Sequence, residues 1–585
     1  MNKMYLFQEQ VQWLAWNNDI DKAINILVPH IESNLLCAVE HVQVQVIKNA
    51  IRAFSDTDVT IKETLQLIED ATKLAEKIEK STASILELAH STIELNKNAL
   101  NNPVEGYIFS EIQNVDQEKS LILEFQDDVL IENFKLNIQV CQCELFLMKT
   151  YLQFLSGSYL KAAYNMRNAF LGYEQLATAV DVVLNEKSDY NESTLHPDLI
   201  TCIRFGQGLF KYLLINLPRS VRGILSTIGY RGDRKEGLKM LRLVSQDGGR
   251  LSAFASFVLG VHYVVRGGGV KSRHHKLQKF EPILLKCLER YPSGLAFTFL
   301  ASQYARKEGD LDSAIQYLER SLMWSKKKLG LTPKFVQSEL SQCYFLNKAY
   351  PNVCQIIESV LSQNESDSEF LGRSISAWVL ALTYSLHNRL DDRYDILDKM
   401  EDYFLTNKNK TKPIEKFVNQ SLENMKKVSA TDEELTLCLF VTYLELLYAR
   451  DRINELTDTN FRYMLRLLLQ LKDKAKRDLF NDLRIACDFF EVCFRRRIGE
   501  MSNSTAKQSL TSIISAKVQY EKQWPMYANF ETAEIMYEAN EDLNKVEQFV
   551  RSCYNFKCAS DELFESRLGD AIEDIRRSRE KKIKV

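Results

Sequence analysis

The residues best suited to chemistry lie between Arg266 and Lys276, in the run RGGGVKSRHHK. Glycines ahead of Val270-Lys271-Ser272 resemble a phosphate-cradling loop, in which backbone amides and a lysine would hold anionic oxygens. The glycine required directly before the lysine is replaced by Val270, however, and no strand pattern precedes the run. His274-His275 are metal-ligating types, yet adjacent residues on a helix point to different faces, and no carboxylate or thiol lies close in sequence. Gly206-x-Gly208 begins like a dinucleotide fingerprint, but Lys211 stands where the third glycine belongs and the context is helical. Cys141 and Cys143 are too close for zinc-finger spacing, and Cys553 and Cys558 lack a nearby His/Cys pair. No Ser/His/Asp or Cys/His arrangement can be picked out. The expectation is a chain with no enzyme activity, no catalytic residues, no metal and no cofactor.

What could position a binding surface is a long run of helices. The chain has 585 residues, 45% hydrophobic and 26% charged, with only 10 prolines, an ordinary composition for a soluble globular protein. Its net charge of -3 gives no general attraction to nucleic acid or anionic membrane, and no nucleic-acid partner is expected. Arg495-Arg496-Arg497 is expected to be a solvated helix end. The 12 cysteines read as small core residues in a reducing compartment. The N-terminus has no apolar signal core, so cytoplasmic residence is expected.

The most apolar and glycine-punctuated stretch runs from Ile203 to Val265. Phe205, Leu209, Phe210, Leu213, Leu214 and Leu217 follow helical spacing and Pro218 closes the helix; a short helix is expected over Ser220–Ile228. Gly229 to Asp233 reads as a stop, a turn and a new N-cap, with Glu236 placed to complete a capping box. Helices are expected over Arg234–Val244 and Leu251–Val265, the latter apolar nearly all round and buried.

This stretch carries a family resemblance. GQGLFKYLLINLP followed by IGYRGDRKEGLKML is similar to the signature of the tetratricopeptide-repeat protein 39 family, which includes the fungal inclusion body clearance proteins. Gly229, Gly232, Asp233, Arg234, Gly237 and Leu238 fit the family element, and Tyr230 replaces its usual Phe. The resemblance extends over most of the chain. It implies an all-α repeat fold with no known catalytic activity and no active-site residues to transfer, and it suggests links to lipid handling and protein turnover.

Repeats are legible on both sides of the stretch. Turns are expected at Asn18-Asp19, Ser156-Gly157-Ser158, Gly309-Asp310, Leu346–Tyr350, His387–Asp391 and Glu541–Leu543; Ala23, Ala162 and Ala314 follow the first three, small residues that let a second helix sit close. The interval from Ala314 to Val353 to Arg393 exceeds the roughly 34 residues of the basic motif, so longer helices or turns must absorb the excess. Four regions follow: 1–183, helical hairpins with an acidic insert at about 101–128; 199–290, the central apolar block; 291–407, tetratricopeptide-like repeats; and 414–585, C-terminal helical repeats. The expected fold is an all-α solenoid, a right-handed superhelix of tetratricopeptide-like hairpins with additional central helices.

Such a fold binds proteins in its groove. Aligned to chaperone-binding repeats, the helix from Leu295 brings Phe299 and Gln303 to the inner face. The next brings Phe335, Glu339, Gln342 and Phe345, and the third Ile375 and Trp378. Cations for a carboxylate clamp are largely missing from these positions, and Glu339 would repel a terminal carboxylate. The expected function is therefore an adaptor or scaffold that holds an apolar or amphipathic partner segment on Phe299, Gln303, Phe335, Gln342, Phe345 and Trp378. Packing of these aromatics between repeats is the competing reading. A peripheral membrane or lipid-droplet factor, using Leu209–Leu217 or Leu251–Val265, is the alternative function.

Overall fold

Among the described residues, eight connections between helices use one backbone device. In each, a residue at positive φ ends the first helix, its N–H bonds to the carbonyl three residues back, and the next N–H reaches the carbonyl five residues back. The first example is Asn18 (φ 64), with Asn18 N–H on Ala15 O at 3.1 Å and Asp19 N–H on Leu14 O at 2.9 Å. Gly157, Gly309, Lys348, Asn388, Asp451, Gly499 and Asn540 repeat it. This is a Schellman stop, which satisfies carbonyls that the helix leaves bare and reverses the chain within a few residues.

The computed structural model describes residues 4–52, 58–107, 126–186, 195–216, 232–265, 274–362, 372–406, 412–429, 431–475, 480–558 and 560–584. Among them it is all-α, without strands, as the sequence led us to expect. The helices are α1 (Leu6–Trp16), α2 (Ile20–Leu27), α3 (Leu35–Arg52), α4 (Asp58–Glu79), α5 (Thr82–Asn101), α6 (Asp127–Leu155), α7 (Tyr159–Glu186) and α8 (Pro197–Asn216). Next come α9 (Arg234–Asp247), α10 (Ser252–Gly260), α11 (His274–Arg290), α12 (Leu295–Lys307), α13 (Leu311–Leu329), α14 (Lys334–Leu346), α15 (Tyr350–Ser362), α16 (Arg373–Leu386) and α17 (Leu390–Thr406). The last are α18 (Pro413–Val428), α19 (Asp432–Ala449), α20 (Asp458–Lys474), α21 (Asn481–Arg497), α22 (Asn503–Ile514), α23 (Gln523–Glu538), α24 (Leu543–Ser552) and α25 (Asp561–Lys584). The first long interval, Ala314 to Val353, holds the 19-residue α13, whereas the second, Val353 to Arg393, holds the end of the 13-residue α15 and the connection from there to α16 at Arg373.

The chain forms two compact units. Unit 1 comprises Met1–His262, Phe280–Thr298 and Ser321–Pro333; unit 2 comprises Tyr263–Lys279, Phe299–Arg320 and Lys334–Val585. In unit 1 the opening hairpin α1–α2 docks on the turn before α12. Trp13 Nε1 donates to Arg290 O at 2.9 Å, Asn18 Nδ2 to Ser293 O at 2.7 Å, and a Cβ on Gly294 would lie 2.3 Å from Trp16 O.

The signature residues explain themselves mechanically. Asp233 caps α9, its Oδ1 accepting from Lys235 N at 2.9 Å and Glu236 N at 3.0 Å. The reciprocal half of the expected box gives way to a tertiary bond, because Asp233 N–H donates to Lys211 O at 3.1 Å. Gly237 serves close packing: a Cβ there would fall 2.8 Å from Gly208 O and from Tyr212 N, so α8 and α9 cross with backbones nearly touching. Gly232 is half-buried just before the cap, and Arg234 opens the helix. Gly229, Tyr230, the expected helix at Ser220–Ile228 and most of RGGGVKSRHHK lie outside the described residues. The expected helix over Leu251–Val265 is α10 plus a π-helical turn at Val261–Val265, and it is mostly buried.

Candidate functional site

α12, α14 and α16 are the first helices of three successive hairpins. Heavy burial on nearly every side makes α14 and α16 core helices. α14 is packed between α15 and α16, and α19 packs on α16 and reaches Phe345 of α14 through Tyr443. Trp378 Nε1 donates to Leu439 O at 3.0 Å, and Phe345 meets the Tyr443 ring edge-on at 4.8 Å. Both aromatics are therefore core residues, which corrects their expected exposure: they hold an apolar helix, but it is the chain's own.

The polar residues of this face form a closed ionic network. Arg306 Nη1 donates to Glu339 Oε2 at 2.7 Å, Arg452 Nη2 lies 2.8 Å from the same oxygen, and Arg452 Nη1 donates to Gln342 Oε1 at 3.1 Å. Arg306 Nη2 lies 3.1 Å from Glu455, and Gln303 Nε2 reaches Glu339 at 3.5 Å. Burial alone would raise the Glu339 carboxyl, but Arg452, Arg306 and Arg450 overwhelm it and hold it at about 2. Cations thus do approach the face, contrary to the sequence expectation, and Glu339 is engaged by Arg306 and Arg452 instead of repelling a ligand. What remains accessible is its edge. Phe299 on α12 and Phe335 on α14 are half-buried and meet edge-on at 5.3 Å.

A second network ties α21, α23 and α25 together. Glu531 accepts from Arg496 at 2.8 Å, Arg497 at 2.7 Å and Tyr448 Oη at 3.1 Å, and Arg567 donates to Glu534 at 2.8 Å and Tyr448 O at 2.7 Å. Arg496 and Arg497 are consequently half-buried structural ions held on the buried Glu531, and the reading of Arg495-Arg496-Arg497 as a solvated end is overturned for two of its three members. Elsewhere in unit 2, Glu445 accepts from Tyr527 Oη at 3.1 Å and Gln523 Nε2 at 3.3 Å. Burial, with Glu521 nearby, pushes its carboxyl up to about 8.

In unit 1, Gly248 and Gly249 (φ 82 and 81) swing Arg250 into the core. There Arg250 Nη1 donates to Glu40 at 2.9 Å and Nη2 to Glu144 at 2.6 Å, with Gln12 and Gln43 bonded to the remaining oxygens. Burial pushes Glu40 up to about 7 although Arg250 opposes the shift. Sequence reading missed Arg250; its one signal is a lone arginine between Gly-Gly and an apolar helix. Ten of the 12 cysteines are buried and two half-buried, all free. No His/Cys/Asp/Glu group able to hold a metal occurs among the described residues.

Hairpins closed by a common stop and stacked on buried first helices define a helical-repeat protein of the tetratricopeptide type. The chain belongs to the Iml2/Tetratricopeptide repeat protein 39 family, whose model matches residues 14–484. It is 23% identical over 195 residues to the tetratricopeptide repeat protein ttc-39B of Caenorhabditis elegans, a match covering 32% of this chain and 33% of the worm protein. It is 30% identical over 116 residues to an uncharacterized protein of Schizosaccharomyces pombe, covering 18% of this chain and 20% of that one. The matched segments thus span a third or less of these relatives' lengths. The crystal structure of yeast Tom70 aligns over 94% of this chain and 97% of its own at 11% identity, with a TM-score of 0.29.

Proposed function

We propose that the chain is a non-enzymatic, cytoplasmic scaffold or adaptor that holds an apolar or amphipathic segment of a partner protein at the edge of α12 and α14. The observation that carries this reading is the half-buried Phe299–Phe335 pair beside a network in which Glu339 already engages Arg306 and Arg452, and Glu455 also engages Arg306. Aromatic side chains with a large contact area and few rotamers dominate interface energetics, and arginines already held in internal ion pairs favour an apolar ligand over a charged tail. Gln303, Gln342, Phe345 and Trp378 support this edge from behind. Repeat-family membership agrees with the reading.

The test compares two fluorescent peptides, an amphipathic helix and an extended peptide ending in an acidic carboxylate, on the full chain and on Phe299→Ala/Phe335→Ala. The expected result is binding of the amphipathic peptide, lost in the double variant while helicity and Tm hold. Preference for the acidic tail, or unfolding of the double variant, would overturn the proposal.

A further inference from the structure

Large apolar side chains are exposed unevenly. Of the thirteen that stand out among the described residues, six fall between Tyr151 and Leu171: Tyr151, Leu155, Tyr159, Leu160, Tyr164 and Leu171. All belong to the α6–α7 hairpin of unit 1. On α7 the residues Leu160, Tyr164 and Leu171 recur at helical spacing on one face, while Ala162, Met166, Ala169, Tyr173 and Leu176 bury the other. α7 therefore has a second apolar stripe, and Leu160 at 90%, Tyr164 at 62% and Tyr159 at 59% exposure crown it.

The hairpin also projects. α6 has 29 residues and α7 has 28, against 18 in α3 and 20 each in α5 and α8, a surplus of about 12 Å at 1.5 Å per residue. Side-chain hydrogen bonds from α6 to helices other than α7 come from Asn133, Asn137, Gln142 and Glu144. Nearer the turn the hairpin bonds across itself, with Asn165 Nδ2 on Gln153 Oε1 at 2.8 Å and Phe154 against Tyr159 at 6.1 Å, whereas further along α7 Phe170 and Tyr173 pack on Phe210 of α8.

Charge selects the occupant. From Leu145 to Tyr173 there is no Asp or Glu in a chain that holds 78, while Lys149, Lys161 and Arg167 carry no ion pair with any described residue. Three unpaired cations on each copy would repel a second copy of the same surface. Tyrosines with a wet hydroxyl, leucines between them and cations at the rim are the pattern that settles at the headgroup boundary of a bilayer. We infer that the α6–α7 tip inserts Leu155, Tyr159, Leu160 and Tyr164 shallowly into an anionic phospholipid surface, with Lys149, Lys161 and Arg167 on the headgroups. No described helix is long and apolar enough to cross a membrane, so the contact is peripheral. The inference is independent of the Phe299–Phe335 edge, which lies in unit 2.

The full chain is floated with vesicles of phosphatidylcholine alone or mixed with phosphatidylserine. Co-flotation is expected with the anionic vesicles, falling about tenfold in Leu160→Ser and about fivefold or more in Lys161→Glu. Both side chains are exposed, so Tm is expected to match the parent. Brominated phosphatidylserine vesicles should quench the added emission of Leu160→Trp. Failure to co-float, indifference to both substitutions, or tighter binding of an acidic amphipathic peptide than of vesicles at Leu160 would overturn the assignment.

Discussion

In unit 1 one guanidinium, Arg250, lies between two buried carboxylates, whereas in unit 2 one carboxylate, Glu339, lies between two arginines. The residue types are the same and the burial is comparable. The ratio differs, and it sets the protonation state. With one cation for two acids, desolvation wins and Glu40 is pushed up to about 7; with cations in excess, Glu339 is held at about 2. Burial of an ion is thus no guide by itself to whether a carboxyl is charged.

The largest expected effect comes from removing the central ion of each network. Arg250→Met strands Glu40 and Glu144 together, and Glu339→Gln strands Arg452 and leaves Arg306 with Glu455 alone; each should cost about 3–5 kcal/mol in urea unfolding. Adding Glu40→Gln should rescue part of the Arg250→Met loss, because it deletes an acid that is already half-protonated near neutrality. If Arg250→Met costs no more than a surface arginine change, the contrast between the networks is broken.

The arginines themselves were illegible in the sequence. Arginine is mostly a surface residue, and the partners that bury these lie 210, 106 and 113 positions away. The turns were legible at six of eight places because Asn, Gly or a following Asp marks them locally. Asp451 was missed because a short 3-10 turn at Ile453–Glu455 blurs the restart, and Gly499 because the arginines before it read as a solvated end. Phe345 and Trp378 were placed on the correct face, but sequence periodicity could not foresee that α19 would cover it.

The pH dependence should separate the networks next. A carboxyl depressed in the folded state adds stability above its unfolded value, lost as pH falls through the folded one; Glu339 thus feeds an acid limb between about 4.5 and 2. A carboxyl raised in the folded state acts oppositely. Its contribution is full below the unfolded value and fades as pH rises through the folded one, so Glu40 and Glu445 supply an alkaline limb through about 7 to 8. Urea midpoints measured from pH 3 to 9 should show Glu339→Gln flattening the acid limb and Glu40→Gln the alkaline limb. The reverse assignment would refute the ratio argument.

The smallest contrast lies in the stops. Gly157 in unit 1 has φ 74 with nothing within 4 Å of a built Cβ, while Lys348 in unit 2 holds φ 62 without being glycine. Gly157→Ala should cost about 1 kcal/mol from backbone conformation alone, and Lys348→Gly should gain up to about 1 kcal/mol. Thermal melts reading the same sign for both would show that the turns are not equivalent.

The cover that α19 provides has a consequence for synthesis on the ribosome. Glu339 is made 113 residues before the Arg452 that completes its neutralisation. At about 5–20 residues per second, that is an interval of roughly 6 to 20 s. Within it, while residues 387–449 are added, α14 and α16 are complete and the helix that covers Phe345 and Trp378 is still being translated. Nascent chains stalled between residues 386 and 432 are the species a cellular holdase would meet, and the Phe345–Trp378 face is what it would grip.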